Sequence, residues 1–374
     1  MRKAAIGVIA AGVASAMLLS ACSSSKSSSP PSSTNSAGGS GSTGGKIGVI
    51  LPDTTSSTRY TLYDAPLLIK AIKAAGLSPD VQNAGGSTSK FSQIADGMIT
   101  EGVKVLIIDS IDPTSGAAVE QKAKNAGIKV IDYDRVNLSG SADYYVSFDN
   151  VKVGELQGQG LVSCLNTKGV KNAAIIEMDG GTDTDNNAVL FAQGYNSVLD
   201  PLYKAGTMKK ASETVVKGWK TADAAPDFTQ AFTANGSKVD GVLAANDDIA
   251  NAVITVLQNN HLKVPVTGQD AGIEGLQHIL QGDQCMTVFK DVSKEADAAS
   301  KLAIALAKGT DPTAAGLTLA TFHDPKGNRD LKAVLLVPEA ITKTNVQDVV
   351  TAGALTAAQI CKGIESVCAA AGVK

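Results

Sequence analysis

Histidine and aromatic residues are scarce in this chain, and their scarcity limits the chemistry available to it. Only 3 of 374 residues are histidine, and phenylalanine, tryptophan and tyrosine together make up 4%. His261, His278 and His323 have no metal-pair spacing, and none lies near a serine in a nucleophile-elbow sequence. No two-cysteine metal motif occurs. We therefore expect no metal site, no cofactor and no catalytic nucleophile.

A phosphate-binding loop is also missing. The nearest candidate, Gly158-Gln159-Gly160, falls inside a predicted helix, whereas a dinucleotide fingerprint lies between a strand and a helix. A packing role for these glycines is the simpler interpretation.

The chain has no excess of charge of either sign. Lysine and arginine total 33 and aspartate and glutamate total 36, which leaves a formal net charge of −3 with the signs interspersed. No basic stripe suits nucleic acid, and no polybasic or amphipathic helix suits a membrane surface. We expect no nucleic-acid partner.

One apolar run stands at the N-terminus. It follows Arg2 and Lys3, extends from about residue 4 to residue 18 and leads into Leu19-Ser20-Ala21-Cys22. This is the pattern of a secretory signal, and its end resembles a bacterial lipobox. We predict that 1–21 is a lipoprotein signal peptide and that Cys22 is lipidated, so the membrane is contacted only through the lipid. An ordinary signal peptide with an incidental cysteine is the alternative.

A low-complexity segment follows the lipobox. Residues 22–45 are mostly Ser, Gly, Pro and Thr, with a single charge at Lys26 and no large apolar residue. Such a composition cannot form a core, so the segment is predicted to tether a globular body to the outer face of the membrane. A tethered monomer is the default expectation.

Four cysteines remain once Cys22 is assigned to lipid. An even count outside the cytoplasm favours disulfides over metal. The short separation of Cys361 and Cys368 suggests a local bridge, which leaves Cys164 to pair with Cys285. Unpaired buried thiols are the alternative.

From residue 46 onward, Val- and Ile-rich runs alternate with segments of helical period, separated by Gly, Pro, Asn or Asp. This βα alternation, repeated in two similar halves, predicts an α/β fold of two doubly wound parallel-sheet lobes joined by several chain crossings. We predict a first lobe from 46–149 and 291–322 and a second from 150–290 and 323–374. The predicted strands are 46–51, 79–83, 103–109, 128–133, 144–148, 173–177, 211–216, 241–245, 264–268, 286–289, 317–321 and 331–337. The predicted helices are 60–75, 90–100, 115–125, 151–165, 187–199, 222–234, 249–259, 273–280 and 295–308.

Polar residues follow many of the predicted strands, at the sheet edge where ligands bind in open parallel sheets. They are Asp53, Asp109, Asp132, Asp134, Arg135, Asp179, Asn246, Asp247, Gln269, Asp270 and Lys290. Each one could instead cap a helix or form a turn. As a set they offer donors and acceptors on several sides, which suits a neutral ligand rich in hydroxyls, such as a sugar.

Two aromatic residues could contact such a ligand. Trp219 lies between Gly218 and Lys220 in a predicted loop, and Tyr60 stands beside Arg59 at the start of the first helix. An aromatic face packs well on the apolar face of a pyranose, although a core position is the other interpretation of Trp219. Asp134, Asp247 and Asp270 could also converge as carboxylates for glycoside cleavage, but binding without chemistry is the simpler hypothesis.

Seven ordered blocks of sequence carry a family resemblance over nearly all of 46–374. They are Ile131-Asp132-Tyr133-Asp134-Arg135, Ser147-Phe148-Asp149-Asn150 with Lys152-Val153-Gly154-Glu155-Leu156-Gln157, Asp185-Asn186-Asn187-Ala188, Gly218-Trp219, Ala245-Asn246-Asp247, Gly268-Gln269-Asp270-Ala271 and Met286-Thr287-Val288-Phe289-Lys290. On these motifs the chain resembles the sugar-binding proteins of ABC importers, of the type I, ribose- and xylose-binding class.

The resemblance implies a monosaccharide ligand, xylose first, held by hinge closure and delivered to an ABC permease and its ATPase. It implies that the ligand-binding residues are Arg59, Tyr60, Asp134, Arg135, Asn187, Trp219, Asn246, Asp270 and Lys290. Tyr60 stands where the family pattern implies tryptophan. Two other functions stay open: a sugar receptor for a sensor kinase or chemoreceptor, and an exported sugar-processing enzyme.

Overall fold

The structure is a computed structural model that describes residues 45–374. The predicted signal peptide, the lipidation of Cys22 and nearly all of the predicted tether lie outside the described residues. Within residues 45–374, no helix combines the length and the apolar character needed to cross a bilayer.

Helices and strands alternate along most of the described chain. The strands are β1 (Lys46–Leu51), β2 (Ser78–Asn83), β3 (Val105–Ile108), β4 (Lys129–Tyr133), β5 (Tyr144–Phe148), β6 (Ala173–Asp179), β7 (Met208–Val215), β8 (Gly241–Ala244), β9 (Thr287–Phe289), β10 (Ala320–Asp324), β11 (Arg329–Leu336) and β12 (Glu339–Ile341). The helices are α1 (Ala65–Ala74), α2 (Thr88–Thr100), α3 (Pro113–Asn125), α4 (Asn150–Thr167), α5 (Asn186–Lys204), α6 (Thr221–Ala234), α7 (Asp247–Asn259), α8 (Ile273–Gln281), α9 (Val292–Lys308), α10 (Gln347–Thr351), α11 (Ala357–Ile360) and α12 (Glu365–Ala371).

The first lobe is built on a seven-stranded sheet in the order β10-β11-β5-β4-β3-β1-β2. All neighbours pair in parallel except β10 and β11, which form an antiparallel hairpin at one edge. Strand β3 is buried on both faces, as its unbroken apolar sequence requires. Leu106 packs in one core with Phe91 of α2, whereas Ile107 packs in another with Leu302 of α9. Helices therefore cover both faces of the sheet, as predicted.

The second lobe is built around three parallel strands in the order β7-β6-β8. One large apolar cluster joins these strands to α4, α5, α6 and α7. Helices α4 and α5 touch through their backbones: a Cβ placed on Gly154 would overlap the carbonyl of Phe191, and one on Gly194 would overlap that of Val151. Gly158 and Gly160 likewise face close neighbours, which agrees with the packing role expected for them.

One predicted strand of the second lobe is missing. The segment 264–268 is not a strand, and only isolated bridges, Val242 to Val266 and Gln269 to Val288, connect this stretch to its neighbours. Thr267 explains the interruption, because its hydroxyl bonds both the amide and the carbonyl of Ala244 in place of a regular backbone ladder.

The predicted lobe boundary at residue 323 is wrong. Strands β10 and β11 both belong to the first sheet, and β11 lies parallel to β5 with Leu336 opposite Phe148. The hairpin is held there by Asp324, which accepts the amide of Ser139 at 2.8 Å and pairs with Arg329 at 3.3 Å. The chain therefore returns to the second lobe only after β11, where β12 pairs with β9.

The chain passes between the lobes three times, after β5, after β9 and after β11. Strand β5 lies beside β11 and β9 lies beside β12, so the two lobes share a hinge of several strands, as predicted. The fold class predicted from sequence, an α/β fold of two parallel-sheet lobes, is confirmed.

Two disulfides are present. Cys164 of α4 is bonded to Cys285, just before β9, with the Cα atoms 6.4 Å apart. Cys361 is bonded to Cys368 of α12 with the Cα atoms 5.7 Å apart. The first bridge ties a helix of the second lobe to a strand that leads into the hinge, and the second fastens the C-terminal helices.

Candidate ligand-binding site between the lobes

A narrow polar cavity lies between the lobes, at the carboxyl edges of both sheets. All nine residues predicted to bind ligand line it: Arg59, Tyr60, Asp134, Arg135, Asn187, Trp219, Asn246, Asp270 and Lys290. Five others line it as well: Ser56, Ser57, Asp185, Phe191 and Gln269. These distant segments therefore lie around one cavity, and that they bind a ligand stays a prediction.

Arg59 is fixed from behind by two carboxylates. It precedes a single wide helical turn that leads into α1. Its Nε and one terminal nitrogen bond Asp64 at 3.0 and 2.8 Å, and the same nitrogen meets Glu295 of α9. The other terminal nitrogen, Nη1, lies 3.4 Å from Asp134 and makes no hydrogen bond. A buried donor is therefore left on the cavity side.

Asp134 is the carboxylate at the centre of the first-lobe wall. It follows β4 with a φ of 59°, a left-handed conformation that turns the chain sharply at the strand end. Burial alone would raise the pKa of Asp134, but the positive charges of Arg59, Lys290 and Arg135 outweigh burial and lower it to about 2. The group is consequently an ionised acceptor at any physiological pH.

Arg135 connects the two lobes. One terminal nitrogen donates to the hydroxyls of Ser56 and Tyr60 at 3.2 Å each. Its Nε lies 3.7 Å from Asp109 behind it and 3.4 Å from Asp185 on the opposite lobe. The Tyr60 hydroxyl in turn donates to Asp134 at 3.2 Å, so this aromatic residue also takes part in the polar network.

The N-terminus of α5 supplies the facing wall. Asp185 caps the helix by accepting the amide of Asn187 at 2.8 Å. The Asn187 side chain donates to the backbone oxygen of Asp134 at 2.9 Å and accepts from Asn150 at 2.8 Å. Helix capping therefore fixes an amide that bridges the lobes.

Trp219 forms one side of the cavity. Its indole nitrogen donates to Asp185 at 3.1 Å, and its ring meets Phe191 edge to face with centroids 6.4 Å apart. The ring packs so closely on Gly180 that a Cβ there would overlap it. The side chain is 6% exposed, so it both fills the second-lobe core and borders the site. The core interpretation and the ligand interpretation of Trp219 are therefore compatible.

Asn246, Asp270 and Lys290 complete the second-lobe wall. Asn246 caps α7 through its side-chain oxygen, which leaves its amide nitrogen to face the cavity. Lys290 lies between two carboxylates, 3.7 Å from both Asp134 and Asp270. Burial would lower the pKa of Lys290, but these two carboxylates raise it above its usual value. The side chain of Asp270 is 23% exposed, which makes it more accessible than either Asp134 or Lys290.

The charges of the cavity balance. Arg59, Arg135 and Lys290 face Asp134, Asp185 and Asp270 across the site. A balanced set of charged donors and acceptors favours a neutral ligand with many hydroxyl groups over an ion, because either charge on a ligand would meet repulsion on one side.

Four other polar residues at strand ends have structural roles. Asp53, Asp132, Asp179 and Asp247 do not line the cavity. Each accepts local hydrogen bonds instead: Asp53 from Ser56, Asp132 from Asn137, Asp179 from Tyr195, and Asp247 from Gly272 and Gln284. The three carboxylates Asp134, Asp247 and Asp270 do not line one cavity together, because Asp247 accepts the amide of Gly272 and the side chain of Gln284 and so lies outside the polar cavity. Within the described residues, no cluster of side chains is arranged to hold a metal ion.

Asp185 and Gln269 are the site residues that sequence reasoning could have assigned. Asp185 stands in a quoted motif directly before a predicted helix, and Gln269 ends a predicted strand. Gln269 was expected at the sheet edge but not as a ligand-binding residue, and Asp185 could be explained by helix capping alone. In the structure Asp185 both caps α5 and lines the cavity.

Residues 47–311 match the sequence profile of the periplasmic binding protein domain. The chain belongs to this family. It is a family of solute-binding receptors rather than of enzymes. The D-xylose-binding periplasmic protein of Escherichia coli is 37% identical over 290 residues, which is 77% of this chain and 84% of the relative. The multiple sugar-binding periplasmic receptor ChvE of Rhizobium radiobacter is 35% identical over 324 residues, covering 83% of this chain and 90% of the relative.

Solved structures show the same similarity. An ABC transporter solute-binding protein from Clostridium phytofermentans, with bound β-D-glucose, superposes with a TM-score of 0.76 at 30% identity. The match covers 84% of this chain and 99% of that one. A carbohydrate transporter solute-binding protein from Chloroflexus aurantiacus, in complex with D-glucose, gives 0.75 at 28% identity over 84% of this chain and 97% of that one.

Proposed function

We propose that this protein captures a monosaccharide, D-xylose first, and delivers it to an ABC permease and its ATPase. One observation carries the proposal: three cationic and three carboxylate side chains, with an aromatic wall, surround one cavity between two hinged lobes. The relatives named for D-xylose and for multiple sugars support a sugar as the ligand.

Each lobe contributes half of the site. Asp134, Arg135 and the Nη1 atom of Arg59 hydrogen-bond the sugar from the first lobe. Trp219 packs against one face of the sugar ring. The second lobe adds a further set of polar groups: Asn187, Asn246, Asp270 and Lys290. Because neither lobe holds all of these groups, the ligand binds the closed form more tightly than the open one and shifts the population toward it.

Closure also provides selectivity. A buried hydroxyl without a partner costs about 1 to 3 kcal/mol, and a site group left unpaired costs a similar amount. Inverting one hydroxyl of the preferred sugar should therefore weaken binding by roughly 5- to 150-fold.

Titration calorimetry with D-xylose, L-arabinose, D-ribose, D-glucose and D-galactose tests the proposal. We expect D-xylose to bind most tightly. Preference for D-glucose would overturn the xylose assignment while keeping sugar capture, and no heat with any sugar would overturn both.

A sensing role is the second candidate, because one relative is named a receptor. The same closed form could be recognised by a sensor kinase or chemoreceptor. Deleting the chromosomal gene separates the two functions: loss of labelled sugar uptake indicates import, whereas normal uptake with loss of a sugar-induced transcriptional response indicates sensing.

We also propose that Cys22 carries the lipid that anchors the protein to the outer face of the cell membrane. The lipobox-like residues 19–22 and the tether that follows support it. The wild-type chain should incorporate labelled fatty acid and sediment with membranes, and Cys22→Ser should do neither. Labelled Cys22→Ser protein would refute the assignment.

A further inference from the structure

A second, wider cavity of about 490 Å³ opens beside the polar site. We call it the outer chamber. Four residues, Ser57, Arg59, Asp270 and Lys290, line both spaces, so the two cavities share one wall. The outer chamber has the size of a small-molecule site.

The outer chamber is formed by both lobes. The first lobe contributes α1 and the segment before it, including Tyr63 and Leu67. The second lobe contributes the start of α7, the residue Phe289 and the loop at 353–355. A ligand in this space would therefore be enclosed by the same hinge movement that closes the polar cavity.

Its lining combines flat apolar surfaces with a few polar groups. Phe289 and half-buried Tyr63 offer aromatic surfaces. Asp248, Asn251 and Glu274 stand on the second-lobe side, and the buried side-chain oxygen of Asn251 has no hydrogen-bond partner. Aromatic faces with carboxylate and amide groups at the edges suit a second sugar ring.

We propose that the protein also binds disaccharides, with one ring in the polar cavity and the second ring in the outer chamber. This inference rests on the proposed sugar-binding function, and it extends the ligand class from monosaccharides to short saccharides. The second ring leaves the first along the shared wall, past Asp270, which is the most accessible charged group there.

Calorimetry with D-xylose and with the 1→2, 1→3 and 1→4 linked xylose disaccharides tests it. At least one disaccharide should bind the wild-type chain with an affinity within about tenfold of D-xylose. Ala354→Trp fills the outer chamber from the 353–355 loop, away from the polar cavity. The affinity of this variant for D-xylose should stay within twofold of the wild-type value, and its affinity for the disaccharide should fall tenfold or more. Ala370→Trp, on the exposed face of α12, is the matched control and should change neither affinity.

A second variant covers the case in which Ala354→Trp fails to fold. Asn251→Ala removes one polar partner of the second ring and should weaken the disaccharide by roughly three- to tenfold with D-xylose unchanged. Tight D-xylose binding with no disaccharide binding would overturn the inference and leave the proposed function intact. Equal losses for both ligands in these variants, or binding of 4-nitrophenyl β-D-xyloside but of no disaccharide, would also overturn it. Absence of all binding would refute the proposed function itself.

Discussion

Replacing Asp270 by Asn should separate ligand binding from folding. Asp270 lies on the second-lobe wall, its nearest cation is Lys290 at 3.7 Å, and its side chain keeps 23% exposure. Burial raises the pKa of Asp270 even though Lys290 and Arg59 oppose it. Ionised Asp270 is therefore less stable in the folded chain than in water, so removing the charge should not lower the stability of the ligand-free protein.

The expected loss on binding follows from hydrogen bonding to a charged group. A sugar hydroxyl bonded to a carboxylate contributes about 1.5 to 3 kcal/mol, which is roughly 10- to 150-fold in Kd. A ligand at 100 times its wild-type Kd stabilises the fold by about 2.7 kcal/mol. If Kd rises about 30-fold, the same concentration stabilises Asp270→Asn by only about 0.9 kcal/mol.

Thermal melts with and without sugar measure this directly. For a folded body the size of residues 45–374, 1 kcal/mol moves Tm by about 1.5 °C, so the ligand-induced shift should fall from about 4 °C to about 1 °C. Asp297→Asn, on the exposed side of α9, is the matched control and should keep the wild-type shift. A wild-type shift in Asp270→Asn would remove Asp270 from the site. A ligand-free Tm well below the wild-type value would refute the claim that its charge is costly.

Three further predictions follow from other residues. Trp219 is the single tryptophan and lines the cavity, so saturating sugar should change its fluorescence with the Kd found by calorimetry; unchanged emission would mean that the ring does not meet the ligand. Burial raises the pKa of Asp247 from 3.8 to about 7, so the folded state holds a proton that the unfolded state has lost. Stability to urea should therefore fall as pH rises through that window, less steeply in Asp247→Asn, and parallel pH profiles for the two chains would contradict this. Replacing Cys164 and Cys285 by Ser opens a link across 121 residues and should cost roughly 2 to 5 kcal/mol of unfolding free energy, with an unchanged urea midpoint as the contrary result.

Much of the fold follows from local pattern. Strands such as β3, with four consecutive buried apolar residues, are buried on both faces whatever their neighbours do, and the helix ends at Gly76 and Gly127 adopt the left-handed φ that glycine favours. Local sequence pattern could not predict which lobe β10 and β11 belong to. It depends on which sheet edge is free to accept β11, and that edge belongs to β5, almost two hundred residues earlier.

The sequence pattern likewise predicts some of the site residues and misplaces others. Residues after strands were expected at one edge, and Asp134, Arg135 and Asp270 lie there. Asp132, in contrast, is buried behind the edge because it bonds Asn137, five residues further along.

The claim on which all of this depends is that the lobes close around a sugar. X-ray scattering of the purified protein, with and without a saturating concentration of the sugar that binds most tightly in calorimetry, tests it most directly. We predict a smaller radius of gyration and a shorter maximum dimension with sugar. Superimposable profiles at proven saturation would contradict closure.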